Sequence, residues 1–135
     1  TGGLATLAII DEDDLITRSE RVGNYLAQKL HELKDKHPII GDVRGMGLFQ
    51  GVELVTDRET LEPASREAAK ITYRAYELGL LFYYVGAFSN ILEITPPLII
   101  DERQIDEGIA ILDQAISDVV AGKVSDEAIA AYAGW

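Results

Sequence analysis

Arg44 is the side chain of this sequence best placed to do chemistry. It stands in the run Gly41-Asp42-Val43-Arg44-Gly45-Met46-Gly47-Leu48-Phe49-Gln50-Gly51-Val52-Glu53-Leu54, just ahead of a bend. Gly45, Gly47 and Gly51 let the backbone turn sharply and let another surface approach closely. A guanidinium next to such a bend is held in a fixed place, where it can brace the turn by hydrogen bonding to backbone carbonyls. Glu53 interrupts the apolar run that follows and faces either solvent or a partner.

Other chemistries find less support. His31 lies inside an amphipathic segment and His37 beside a proline, and neither has a partner at metal-ligand spacing. Asp11, Glu12, Asp13 and Asp14 lack the alternating ligands and central glycine of a calcium loop, so they read as a solvated turn. Gly45-Met46-Gly47 is only a G-x-G, followed by a strand rather than a helix; it is neither a phosphate loop nor a dinucleotide fingerprint. No nucleophile elbow is present. Lys29, Lys34, Lys36, Lys70 and Lys123 fall on solvent-facing helical positions or helix ends. A Schiff-base lysine needs a pKa lowered by burial or by a neighbouring charge, which none of these positions suggests. The residues by themselves offer no complete catalytic, cofactor or metal site.

The elements that position Arg44 are legible from periodicity. Leu15, Val22, Leu26, Leu30 and Leu33 recur at helical spacing within a segment running from about Leu4 to Lys36. Ile9 and Ile10, before the acidic break, end a preceding helix, and His37-Pro38 closes the segment. The period then changes to two: Leu48, Gln50, Val52 and Leu54 on one face, Phe49, Gly51, Glu53 and Val55 on the other. After a polar loop, Pro63 fits the first turn of a helix with a stripe of Ala68, Ile71, Ala75 and Leu78, stopped by Gly79. Leu80–Val85 and Ile91–Ile94 read as strands, the second ended by Pro96-Pro97. Phe82, Tyr83 and Tyr84 are expected in core and interdomain packing. Asp101 and Gln104 form a capping box for a helix carrying Ile105, Ile109, Leu112, Ile116 and Val119. Gly122 ends it, and Ser125 caps a short helix with Ile129 and Tyr132. The order helix, two strands, helix, two strands, helix, short helix predicts an α+β fold: a small, mostly antiparallel sheet of three to four strands, covered on one face by helices.

Composition narrows the function classes. The 135 residues suffice for one domain with an ordinary core, and 47% are hydrophobic. The formal charge of −11, from 12 basic and 23 acidic residues, repels phosphate backbones and argues against nucleic acid as a partner. Apolar runs are too short to span a membrane. Without cysteine there is no disulfide framework, and a cytoplasmic location is the default. Thr1 is not a methionine, and Gly2–Ile10 opens inside an apolar helix; a truncated piece of a longer chain is expected.

The run from Val43 to Leu54 closely resembles the "VRG-G-L-GIEL" segment of class III aminotransferases, the ornithine and 4-aminobutyrate types among them. Leu4–Glu12 is similar to the helix that follows the lysine region of that family. Leu78-Gly79-Leu80-Leu81 resembles its step into a strand, Ile91–Ile100 its "PPL-I" strand, and Asp101–Val119 its terminal helix. The resemblance covers nearly the whole chain in the right motif order.

It implies that residues 1–135 are the C-terminal small domain of a fold-type I enzyme using pyridoxal phosphate, homodimeric in full form. The large cofactor-binding domain would be absent, and with it the Schiff-base lysine. The full enzyme would move an amino group between a small-molecule amine or amino acid and a keto acid; the chain alone would be inactive. Arg44 would help shape the substrate entrance. Many family members carry an arginine where Glu93 stands, gripping the substrate carboxylate in a two-pronged contact. Glu93 would repel a carboxylate, so the substrate's carboxylate would sit on another residue, or its far end would be neutral or cationic; otherwise Glu93 simply points to solvent from an edge strand. The rival reading of the whole chain is a free-standing, non-enzymatic α+β domain whose sheet face docks another protein.

Overall fold

A computed structural model of the chain describes residues 1–130; Tyr132, expected on the last helix, lies outside them. The elements are α1 (Gly2–Glu12), α2 (Leu15–Lys36), β1 (Ile40–Met46), β2 (Phe49–Leu54), α3 (Ser65–Glu77), β3 (Tyr83–Val85), β4 (Ile91–Ile94), α4 (Glu102–Val120) and α5 (Asp126–Ile129). The four strands form one antiparallel sheet in the order β1-β2-β4-β3. The expected α+β class therefore holds.

Alternation along each strand decides which side the helices cover. Val43, Val52, Leu92 and Tyr84 pair in one row across the sheet, and this row joins the core beneath α2, α3 and α4. The expected stripes supply the other wall: Leu15, Val22, Leu26, Leu30 and Leu33 of α2 are buried, as are Ile105, Leu112, Ile116 and Val119 of α4. Asp101 accepts a hydrogen bond from the Gln104 backbone N–H while the Gln104 side chain accepts one from the Asp101 N–H, completing the expected capping box. Between α1 and α2 the chain breaks at the acidic cluster, where Asp14 takes a left-handed φ of 47°, a conformation aspartate tolerates better than most residues.

Two expectations need correction. Pro63 does not open a helix; it sits in an antiparallel bridge with Val55, and Ala64 donates its N–H to Leu54 O. Residues 62–64 thus extend the pairing at the end of β2, and α3 starts only at Ser65. The strand expected over Leu80–Val85 is confined to Tyr83–Val85, which pair with Glu93, Leu92 and Ile91 of β4. Gly79, at φ 99°, lets Leu80 N–H return to Ala75 O and close α3; Leu80 to Phe82 then only carry the chain to the sheet.

Arg58, which sequence reasoning passed over, ties α2 to β1. Its guanidinium donates to four carbonyls, those of Lys34 (2.6 Å), His37 (3.0 Å), Pro38 (3.0 Å) and Ile40 (3.1 Å). Two of these lie at the C-terminal end of α2, where carbonyls have no helical partner. Arg58→Ala should lower the unfolding free energy by about 2 kcal/mol, and Arg58→Lys should restore little of it, because one ammonium cannot reproduce the planar fork. Equal urea midpoints for wild type and Arg58→Ala would refute this.

Candidate functional site

The sheet face opposite the helices is open. Its rows are Asp42, Glu53, Ile91 and Val85; then Arg44, Gly51, Glu93 and Tyr83; then Met46 and Phe49 at the hairpin end. Arg44 and Glu93 therefore lie in one row with only Gly51 between them, about 10 Å apart at the backbone by strand spacing. A glycine there leaves a depression, lined by Arg44, Phe49, Gly51, Val85, Ile91 and Glu93. The surrounding surface is apolar: Met46 is 85% exposed, Tyr83 69% and Phe49 62%.

Arg44 does not brace the turn through carbonyls. Its Nη1 donates to Glu53 Oε2 at 2.5 Å and to Asp42 Oδ2 at 3.0 Å. Glu53 is its diagonal neighbour across the strand pair, and Asp42 is two residues back on the same face. The bonds to Glu53 and Asp42 push its pKa above the ordinary arginine value. The carbonyl-bracing role belongs instead to Arg58 and to Arg18, which donates to the carbonyls of Leu98, Ile99 and Ile100. Glu53, marked by its polarity in an apolar strand, is thus the lock on Arg44. The signal for Asp42 was period two with Arg44; it became readable only once the strand was in place.

Glu93 is half-buried, and among the described residues it has no hydrogen bond or ion pair. It borders the depression beside Arg44 and is also among the residues lining a second cavity, an apolar slot between the helices and the sheet end. Of the aromatic trio, Phe82 is buried and Tyr84 packs on the core, whereas Tyr83 stands exposed beside Glu93.

All five lysines are held by carboxylates: Lys29 by Glu32, Lys34 by Asp42, Lys36 by Asp113, Lys70 by Asp126 and Lys123 by Asp118. None lines either cavity that Glu93 borders. His37 is buried against Asp113, 2.6 Å away, while His31 is exposed. No group of three or more metal-ligating side chains occurs among the described residues. Nor is any described helix long and apolar enough to cross a membrane.

An open antiparallel sheet with long helices on one side and a charged row on the other defines an α+β unit. Residues 3–116 match the Aminotransferase class-III family, and the chain belongs to that family. It is 47% identical over 132 residues to a leucine/methionine racemase of Thermococcus litoralis, covering 98% of this chain and 29% of that protein. It is 44% identical to an alanine–glyoxylate aminotransferase 2 homolog of Arabidopsis thaliana, covering 87% of this chain and 24% of that one. Among solved structures, a Bacillus anthracis aminotransferase superposes with a TM-score of 0.80 at 37% identity, over 84% of this chain and 26% of that chain. The chain thus spans about a quarter of the length of these relatives.

Proposed function

We propose that this chain is the C-terminal small domain of a pyridoxal phosphate-dependent class III enzyme that moves an amino group between an amine or amino acid and a keto acid. The family match over residues 3–116 carries the reading. The exposed apolar surfaces agree with it. In α1 no residue is buried, with Leu4, Leu7 and Ile9 in the open, and the sheet face carries Met46, Phe49 and Tyr83. Such surfaces suit a large domain and a second subunit of a homodimer. A cytoplasmic location goes with this reading.

The residues present do not fit the cofactor. Pyridoxal phosphate needs a lysine free to form a Schiff base, and each lysine here is engaged by a carboxylate. We therefore assign that lysine to the large domain and read the isolated chain as inactive. The test is to mix the purified chain with pyridoxal phosphate, reduce with borohydride and map pyridoxyl adducts by mass spectrometry. Scattered substoichiometric labelling is expected; one stoichiometric adduct would overturn the assignment.

Within the full enzyme Arg44 shapes the substrate entrance from its lock of Asp42 and Glu53, and Glu93 sets preference. A carboxylate there disfavours a second substrate carboxylate at the same point. Glu93→Arg in the full-length enzyme should raise kcat/KM for dicarboxylic substrates about tenfold relative to monocarboxylic ones, the scale of a charge-assisted hydrogen bond. An unchanged ratio would remove Glu93 from the substrate site.

Racemisation of an amino acid is a second reading, favoured by the 47% identity to the leucine/methionine racemase. A transaminase must accept two different acids in turn, whereas a racemase releases the acid it took in. The absence of a cation at Glu93 suits an enzyme that never admits a dicarboxylic partner. Chiral chromatography of full-enzyme reactions, with and without a keto acid, separates the two.

A further inference from the structure

β2 is an interior strand of the sheet, yet it carries a glycine, Gly51, at its middle. A glycine weakens a strand, because it packs nothing and loses the most freedom on folding. Several other glycines are required by the fold. A Cβ on Gly45 would stand 2.1 Å from Phe49 O, and one on Gly23 2.2 Å from the Gly47 carbonyl carbon. Gly79 and Gly86 have φ of 99° and 93°. Gly51 has no such reason. It pairs in regular register with Arg44 on one side and Glu93 on the other. The nearest atom to a Cβ there would be a side-chain methyl, Ile91 Cγ2, at 3.2 Å, which has to yield only a few tenths of an ångström; Arg44 O lies farther off, at 3.6 Å.

The missing side chain shapes the open face. A Cβ at this position would point, like the side chains of Arg44 and Glu93 in the same row, into the depression between them. Phe49, Val85 and Ile91 supply its apolar walls. The charge of Arg44 is already taken by Asp42 and Glu53, and the carboxylate of Glu93 repels an anion. What remains is a shallow apolar seat for an uncharged group. A strand glycine that packing does not demand marks a place where a ligand comes close to the backbone. We infer that Gly51 is the floor on which the substrate's side chain rests, so that it selects an uncharged apolar side chain and limits its size. This rests on the reading that the open face meets the substrate. It adds the residue that measures the substrate and the class of side chain it admits.

The experiment uses the full-length enzyme with alanine, leucine and phenylalanine as substrates. Turnover is followed as keto acid formed with an acceptor present and as enantiomer formed without one, so that transfer and racemisation are both read. Gly51→Val should lower kcat/KM for leucine relative to alanine at least about tenfold, since methyl groups in the seat exclude a branched side chain. Phe49→Ala, which removes a wall whose side chain is 62% exposed, should act the other way and raise kcat/KM for phenylalanine relative to leucine. A ratio cancels any loss common to all substrates. In this chain alone, Gly51→Val should melt no lower than wild type, because valine favours a strand. A clearly lower melting temperature would make the glycine a packing requirement and overturn the inference. An unchanged leucine-to-alanine ratio in Gly51→Val, or a fall in the phenylalanine-to-leucine ratio in Phe49→Ala, would overturn it too and leave amino-group transfer standing. A wild-type enzyme that turns over no amine or amino acid would end both.

Discussion

Gly23→Ala should destabilise this chain by about 3 kcal/mol, a large effect for one methyl group. The Cβ it adds would stand 2.2 Å from the carbonyl carbon and 2.3 Å from the carbonyl oxygen of Gly47. Both are backbone atoms, so no side chain can rotate away. Gly47 is itself confined: its φ is 54°, and a Cβ on it would meet Ser19 Oγ at 2.7 Å. Ser19 in turn accepts the Leu48 backbone N–H at 3.3 Å. The β1–β2 hairpin tip is therefore seated on α2 by glycine against glycine, and the methyl group would lift it. Leu48, buried at the tip, would leave the core with it. Gly108→Ala is the matched control. It lies inside α4, its Cβ would find Leu80 Cδ1 at an ordinary 3.7 Å, and it should stabilise by about 0.5–1 kcal/mol. Guanidinium denaturation of the three proteins measures both changes; equal midpoints for Gly23→Ala and wild type would show that the hairpin does not depend on this contact.

Asp118 should dominate the acid response. Its side chain is 2% exposed and accepts hydrogen bonds from Lys123 Nζ (2.8 Å), Arg74 Nε (2.9 Å) and Gln114 Nε2 (2.8 Å). The bonds from Lys123 and then Arg74 hold its pKa at about 2, below the ordinary 3.8. The folded chain thus binds this proton less readily than the unfolded chain does. Its stabilising contribution is complete above about pH 4 and is lost as pH falls through about 2. Asp118→Asn keeps the shape, removes the charge and leaves Arg74 and Lys123 without their counter-ion. The variant should melt below wild type at pH 7, and the gap should close on acidification between pH 4 and 2. A gap that stays constant over that window would mean that the charge of Asp118 contributes nothing.

The amino-acid pattern was a sound guide wherever one periodicity acted over many residues. The stripes of α2 and α4, the alternation from Leu48 to Leu54 and the Asp101–Gln104 capping box all appear as expected. Long periodic segments average over many contacts, so no single neighbour can override them. Pro63 and Leu80–Phe82 were misread because their states depend on whether a strand partner is within reach. At the site, Arg44 and Glu93 were both visible as residues, but 49 positions of chain separate them. Only the order β1-β2-β4-β3 brings them into one row beside Gly51.

Local chemistry by itself therefore determined the elements, their caps, the acidic surface and the family resemblance, because each rests on neighbours within a few residues or on overall composition. Tertiary structure decided the rest. It placed Asp42 and Glu53 on Arg44, handed the carbonyl-bracing role to Arg58 and Arg18, and set Gly23 against Gly47. It also left Glu93, half-buried on the open sheet face, without a partner among the described residues. Each of these contacts joins distant segments or neighbouring strands, and pairing in a sheet follows from register, which no single stretch of sequence carries.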